Sequence, residues 1–298
     1  MEKVDILNNS FNTPIVRLKE IEKIFDLKNE LYAKIEINNP TGSIKDRACI
    51  EILNGYINDG IIKDNTTLIE ATSGNMGISL SYYANKLNIP CIIVMPNSAS
   101  KQRQEIIENN NAKVIRLDGG MNECNELVKK LLKENKNYVW FDQFNNTNSV
   151  KAHLKTAKEI DETINDLDYI FIAFGSAGTI GGIAAYYKTN NKPTKIIGIE
   201  PDESPLVKCG ITRPHLIQGI AANFVPPLLN KDHIDDIELV KGEDAINMAK
   251  MIKEEEDLFV GISSGANVLA TITYLKNHNI KNKKVLTLLV DKGDRYSW

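Results

Sequence analysis

Short apolar, β-branched runs alternate with longer amphipathic stretches along almost the whole chain. The runs at 31–37, 67–71, 91–95, 114–117, 138–141, 169–174, 195–199 and 285–290 predict strands. Helical spacing predicts helices near 43–55, 75–86, 100–109, 121–134, 149–162, 179–188, 242–255 and 265–276. Strand–helix alternation of this kind predicts an α/β fold with two domains of mostly parallel sheets flanked by helices. Most strand runs are apolar throughout, as in sheets covered on both faces. The polar stretch 145–148 is the expected domain boundary.

The 298 residues leave room for two medium domains, and the net charge of −3 comes from interspersed acids and bases. Nucleic-acid binding is therefore not expected. The N-terminal M-E-K-V-D-I-L-N-N lacks the basic-then-apolar form of a leader, so a cytoplasmic protein is expected. The longest uncharged run, 169–187, approaches the length of a membrane span. Its central glycines, with Ser176 and Thr179, instead predict a strand, a turn and a helix, and no membrane association. The cysteines are Cys49, Cys91, Cys124 and Cys209; no C-x-x-C pair occurs. No metal site or disulfide framework is expected.

Strand ends are where α/β proteins hold ligands, and four loops there carry chemistry. N-P-T-G-S-I-K-D-R, from Asn39, places Lys45 where a tight turn enters a helix that Ser43 is expected to cap. A lysine so held suits Schiff-base chemistry, although a solvated surface lysine fits as well. T-S-G-N-M-G, from Thr72, offers donors at a helix start, as an anion site or a simple cap. G-S-A-G-T-I-G-G, from Gly175, is a phosphate cradle without the lysine of a Walker loop, and Ala177 interrupts G-x-G-x-x-G. In G-I-S-S-G, from Gly261, a helix cap explains Ser263 or Ser264 equally well. A reactive lysine, a phosphate cradle and a carboxylate site together suggest pyridoxal 5′-phosphate acting on an amino acid.

These motifs, with H-L-I-Q-G-I-A-A-N-F-V-P from His215, resemble the cysteine synthase (O-acetylserine sulfhydrylase) and cystathionine β-synthase family, fold-type II pyridoxal-phosphate enzymes with a tryptophan synthase β-like fold. The likeness runs in order from Asn12 to Tyr296. It implies that Lys45 holds the cofactor and moves the α-proton, and that Asn75 bonds the phenolic oxygen. Gly175, Ser176, Ala177, Gly178 and Thr179 would bind the phosphate, and Ser263 would face the pyridine nitrogen. Thr72, Ser73, Met76 through its backbone N–H, and Gln143 would surround the substrate carboxylate. A serine at the ring nitrogen gives a weak electron sink, which favours β-replacement through an α-aminoacrylate over transamination. The resemblance also implies a larger cofactor-binding domain from 1–34 and 146–298. A smaller mobile domain, 35–145, would carry Lys45 and the Asn75 loop. Partners implied are a second copy, as a homodimer, and the C-terminus of a serine acetyltransferase.

The chain departs from the family pattern around the substrate. Met76 replaces a threonine, and Ala221 and Asn223 stand where glycines are usual. The entrance loop is therefore expected to be narrower, stiffer and more polar. Ala177 also replaces a glycine, at little cost if its φ is negative. Asp232, beyond the F-V-P-P that follows Asn223 and near the same entrance, could repel hydrosulfide and act as general base on water, or be a solvated loop acid. The departures favour an enzyme that consumes L-cysteine and releases hydrogen sulfide. The alternatives are cysteine synthesis from O-acetylserine and sulfide, and a non-catalytic scaffold that binds the cofactor and a partner's C-terminal peptide.

Overall fold

The computed structural model describes residues 11–296. The N-terminal stretch M-E-K-V-D-I-L-N-N lies outside them. The chain divides into two compact units, one from 45–149 with Phe11, the other from 12–44 and 150–296. Each has its own sheet with helices on both faces, so the α/β expectation holds.

The strands of the second unit are β1 (Ile15–Arg17), β2 (Glu30–Ile35), β7 (Tyr169–Ala173), β8 (Lys195–Pro201), β9 (Asp236–Val240) and β10 (Lys284–Leu289). They form one sheet in the order β1-β2-β10-β7-β8-β9. All neighbours are parallel except β1 and β2. Phe171 packs into the core on one face, while Ile170 and Ile172 pack into the core on the other. That double burial explains why β7 is apolar throughout. The uncharged run at 169–187 is β7, the glycine turn and the first part of the helix Gly178–Thr189. No helix among the described residues is long and apolar enough to cross a membrane.

The strands of the first unit are β3 (Thr67–Ala71), β4 (Cys91–Pro96), β5 (Lys113–Leu117) and β6 (Tyr138–Trp140). They form a parallel sheet in the order β5-β4-β3-β6. Leu68 and Ile93 face one core with the helices Lys45–Asn58 and Asn75–Lys86; Ile69 and Val94 face another with Met121–Glu134.

Two strands escaped the sequence pattern. β1 is only three residues long, and β9 is an edge strand whose D-I-E-L-V mixes acids with half-buried apolar residues. Neither is a continuous apolar run.

In each sheet the chain winds outward to one side and then returns to the other. The reversal lies between β7 and β10 in the second unit and between β3 and β6 in the first. Strands at such a point separate at their carboxyl ends and open a crevice. β7 and β10 are paired only at Val285↔Tyr169 and Leu286↔Ile170. Beyond, the buried Asn267 fills the gap: it accepts from the Ala173 N–H at 2.8 Å and donates to the Leu288 carbonyl at 2.7 Å. Asn267→Ala strands both backbone groups, and each costs about 1–3 kcal/mol when left unpaired. We expect this variant to lose about 3 kcal/mol in denaturant unfolding; a loss below about 0.5 kcal/mol would contradict this role.

Candidate active site

In the second unit, the turn leading to Lys45 is clamped from several sides. The Gly42 N–H donates to the Asn39 carbonyl at 2.7 Å, closing the turn, with Gly42 at φ +78°. A side chain there would press on Lys292, whose Cδ lies 2.9 Å from the position of a Cβ. The Ile44 N–H donates to the Val290 carbonyl at 2.8 Å, and Arg295 donates to the Thr41 carbonyl. Beneath the turn, the fully buried Glu36 carboxylate accepts from Thr13 Oγ1 at 2.8 Å and Asn39 Nδ2 at 2.6 Å. Asn39 Nδ2 also lies 3.1 Å from the Ser43 carbonyl. Lys45 is half-buried and opens the helix Lys45–Asn58 of the first unit.

Ser43 does not cap that helix. Its main chain forms a bridge to Asp291, and its hydroxyl is buried with no hydrogen-bond partner among the described residues. The main chain is taken up by that bridge, so local capping preference lost to tertiary pairing.

In the first unit, the crevice between β3 and β6 brings the 72–77 loop and Gln143 together. The loop follows β3 and starts the helix Asn75–Lys86, whose N-terminus has no side-chain cap. A helix N-terminus carries partial positive charge and suits an anion. The Met76 side chain is buried in the core, which leaves its backbone as the part that could meet a ligand. Thr72 Oγ1 receives the Gly74 N–H at 3.3 Å, which leaves its own proton to donate, and Arg103 donates to the Ser73 carbonyl at 3.3 Å.

Glu70, at the end of β3, escaped the sequence reading. It is fully buried, accepts from the Asp142 N–H at 2.8 Å and from Gln143 Nε2 at 3.0 Å, and so fixes Gln143. Its signal was an acid inside the apolar strand T-L-I-E-A. Burial outweighs these two hydrogen bonds and raises the carboxyl to about 8. With the proton on, the Gln143 amide can turn its oxygen toward Glu70 and its NH2 outward.

In the second unit, the 175–179 loop follows β7 and starts the helix Gly178–Thr189, again without a side-chain cap. A Cβ on Gly175 would lie 2.6 Å from the Gly219 carbonyl oxygen, so only glycine lets the two loops meet. The Ala221 N–H donates to the Phe174 carbonyl at 2.9 Å. Ala177 has φ +64° and Ala221 φ +52°. The condition for a cheap alanine at 177 is therefore not met. Left-handed alanine costs roughly 1–2 kcal/mol, and both alanines sit in touching loops.

Ser263 and Ser264 open the helix Ile262–Asn277. Ser264 Oγ accepts the Val290 N–H at 2.9 Å and is thereby committed to structure. The buried Ser263 hydroxyl has no such bond among the described residues. Asn223 is exposed, with its Oδ1 3.3 Å from Thr212 Oγ1. Asp232 is exposed on the short turn Lys231–His233, where its N–H donates to Asn230 Oδ1 at 3.1 Å.

An uncapped twelve-residue helix start lined by Gly175, the buried Ser176 and Thr179 fits a phosphate, and a neutral serine at a second helix start fits a ring nitrogen. The model of the pyridoxal-phosphate dependent enzyme family matches residues 6–291. The chain belongs to that family. It is 40% identical over 293 residues to a cysteine synthase B of Campylobacter jejuni, covering 96% of this chain and 94% of the relative. A hydrogen sulfide-producing enzyme from Fusobacterium nucleatum has a similar structure, with TM-score 0.92, 33% identity and 99% of each chain covered. So has an O-acetylserine dependent cystathionine β-synthase from Helicobacter pylori, at TM-score 0.91 and 30% identity, covering 98% of this chain and 96% of that one. The protein is thus a pyridoxal-phosphate enzyme of fold type II, with an α/β architecture in two sheets.

Glu70 makes a testable pH signature. Its folded-state value of about 8 lies above the ordinary 4.5. Between these values the folded chain keeps a proton that the unfolded chain releases, so stability falls as pH rises through that window and levels off above it. The loss is about 1.4 kcal/mol for each pH step of one within the window, so the wild type should lose several kcal/mol from pH 5 to 8 relative to Glu70→Gln. Denaturant unfolding of both proteins across that range measures the difference; parallel curves would exclude a neutral Glu70.

Proposed function

We propose that this enzyme replaces the β-substituent of an L-amino acid, with L-cysteine as donor, water or a thiol as acceptor, and hydrogen sulfide released. Bound pyridoxal 5′-phosphate supplies the electron-withdrawing ring that lets the α-proton and the β-substituent leave. The chain's residues do the rest. Lys45 Nζ would hold the cofactor's aldehyde carbon and carry the proton to and from the substrate Cα. Asn75 would bond the ring oxygen, and the 175–179 loop would hold the phosphate. Ser263, uncharged, would leave the ring nitrogen weakly basic, a setting for β-chemistry. Thr72, Ser73, the Met76 N–H and Gln143 would receive the substrate carboxylate.

The observation that carries the sulfide-releasing direction is the segment from Gly219 to Asp232. It replaces two expected glycines, keeps one as a left-handed alanine, and leaves Asn223 and the anionic Asp232 exposed. A negative charge there would disfavour incoming hydrosulfide and could draw a proton from water. The second reading, cysteine synthesis from O-acetylserine and sulfide, is favoured by the 40% identity to a cysteine synthase B. Both readings include a homodimer; binding of a serine acetyltransferase C-terminus belongs to the second.

Product analysis with L-cysteine alone separates them. Sulfide and serine in equal amounts are expected. Pyruvate with ammonia would mean elimination, and rapid cysteine formation from O-acetylserine without sulfide release would establish the second reading. Lys45→Ala should abolish the visible absorption band and reduce turnover by about a thousandfold. Asp232→Asn should slow serine formation by about a hundredfold while sparing loss of sulfide in single turnover; unchanged rates would remove Asp232 from the mechanism.

A further inference from the structure

His153 lies on the helix Asn148–Thr163, only 2% exposed, between two threonine hydroxyls. Its Nδ1 is 3.2 Å from Thr156 Oγ1, and its Nε2 is 3.2 Å from Thr179 Oγ1. Thr156 Oγ1 also lies 3.4 Å from the Ala152 carbonyl oxygen. The approach depends on Gly182: a Cβ there would lie 2.5 Å from the Val150 carbonyl oxygen and 2.6 Å from His153 Cβ. A glycine in the motif thus brings the histidine to the loop.

A neutral imidazole carries one ring proton, and each hydroxyl carries one. With the proton on Nδ1, the ring donates to Thr156, Thr156 donates to the Ala152 carbonyl, and Thr179 donates to Nε2. Thr179 then has only lone pairs to offer the loop. With the proton on Nε2, the ring donates to Thr179, Thr156 donates to Nδ1, and the Thr179 proton is free to point into the loop. A phosphate oxygen accepts hydrogen bonds from the helix start and cannot donate when ionised. Only the second arrangement makes Thr179 its donor.

We propose that His153 is the positioning residue of the 175–179 loop: it stays in the Nε2–H tautomer and holds the Thr179 hydroxyl as a donor to a bound phosphate. The imidazole touches neither cofactor nor substrate and acts through Thr179. This proposal rests on the reading of 175–179 as the phosphate loop.

The test uses holoenzyme labelled with 15N-histidine. The sequence contains only four histidines, and His153→Gln assigns the resonance. Wild type should show a protonated Nε2 and a bare Nδ1. Thr179→Val removes the acceptor and should move the proton to Nδ1, while Thr179→Ser should keep it on Nε2. An Nδ1–H or doubly protonated ring in wild type, or no change in Thr179→Val, overturns the proposal. The 31P resonance of the bound cofactor separates the two failures. If it ignores Thr179→Val, the phosphate-loop reading itself is wrong. If it shifts while the tautomer stays fixed, only the role of His153 is wrong. Cofactor affinity adds a further measurement: His153→Leu should weaken it about tenfold. His153→Gln, whose amide can still donate to Thr179, should retain most of it, and equal affinities in both variants count against the proposal.

Discussion

Parallel strands that separate at a chain reversal leave backbone groups without a ladder partner, and buried backbone groups must find one. Both sheets solve this with one buried polar side chain. Asn267 spans the gap between β7 and β10, giving its oxygen to Ala173 and its NH2 to Leu288. Glu70 does the corresponding work beside β6, where its carboxyl group takes the Asp142 N–H once strand pairing has ended at Trp140. Asn267 satisfies the strands on both sides of its crevice, and Glu70, carried on β3, reaches across to the chain that leaves β6. The loops with chemistry hang from those strand ends, so their geometry depends on these two side chains.

The same economy governs the Lys45 turn. Glu36 and Asn39 are buried and exist in the fold to hold backbone and hydroxyl groups in place. Lys34 is also buried, bonded to the Thr13 carbonyl and paired with Glu159 at 2.9 Å. Such pairs contribute little net stability when compared with apolar packing, yet are costly to break. Their value here is a fixed direction for the chain entering the Lys45 helix. Backbone strain at Ala177 and Ala221 is tolerated next door for the same reason, because surrounding contacts overdetermine both loops.

Much of this was legible in the sequence. The core strands were visible as apolar runs because they are buried on both faces, and the ligand loops because glycine, serine and threonine cluster at their ends. What stayed hidden depended on partners distant in sequence. Glu70 was visible as an acid in an apolar strand, but not its reach to residue 143. His153 looked like one polar position in an amphipathic helix, since its second threonine lies 26 residues away. Ser43 was expected to act locally and was taken up by a strand end near residue 291. Ala177 could not reveal the sign of its φ, which is set by the turn and not by the side chain.

The pairing of β2 with β10 has a consequence for how the protein comes into being. Glu30 lies opposite Lys284, and the turn before Lys45 is pinned by residues 290–295. During synthesis from the N-terminus, the segment 45–149 can complete its own sheet early, because all four of its strands are already made. The other sheet must wait for the last strand, and long-range parallel pairing is slow to form. The lysine turn is thus made before the inserted segment and locked only after β10 and residues 290–295 have followed. Until residues 284–295 have emerged, the nascent chain carries that lysine on an unanchored turn, and a stop before them would leave the inserted unit intact while the turn stays loose.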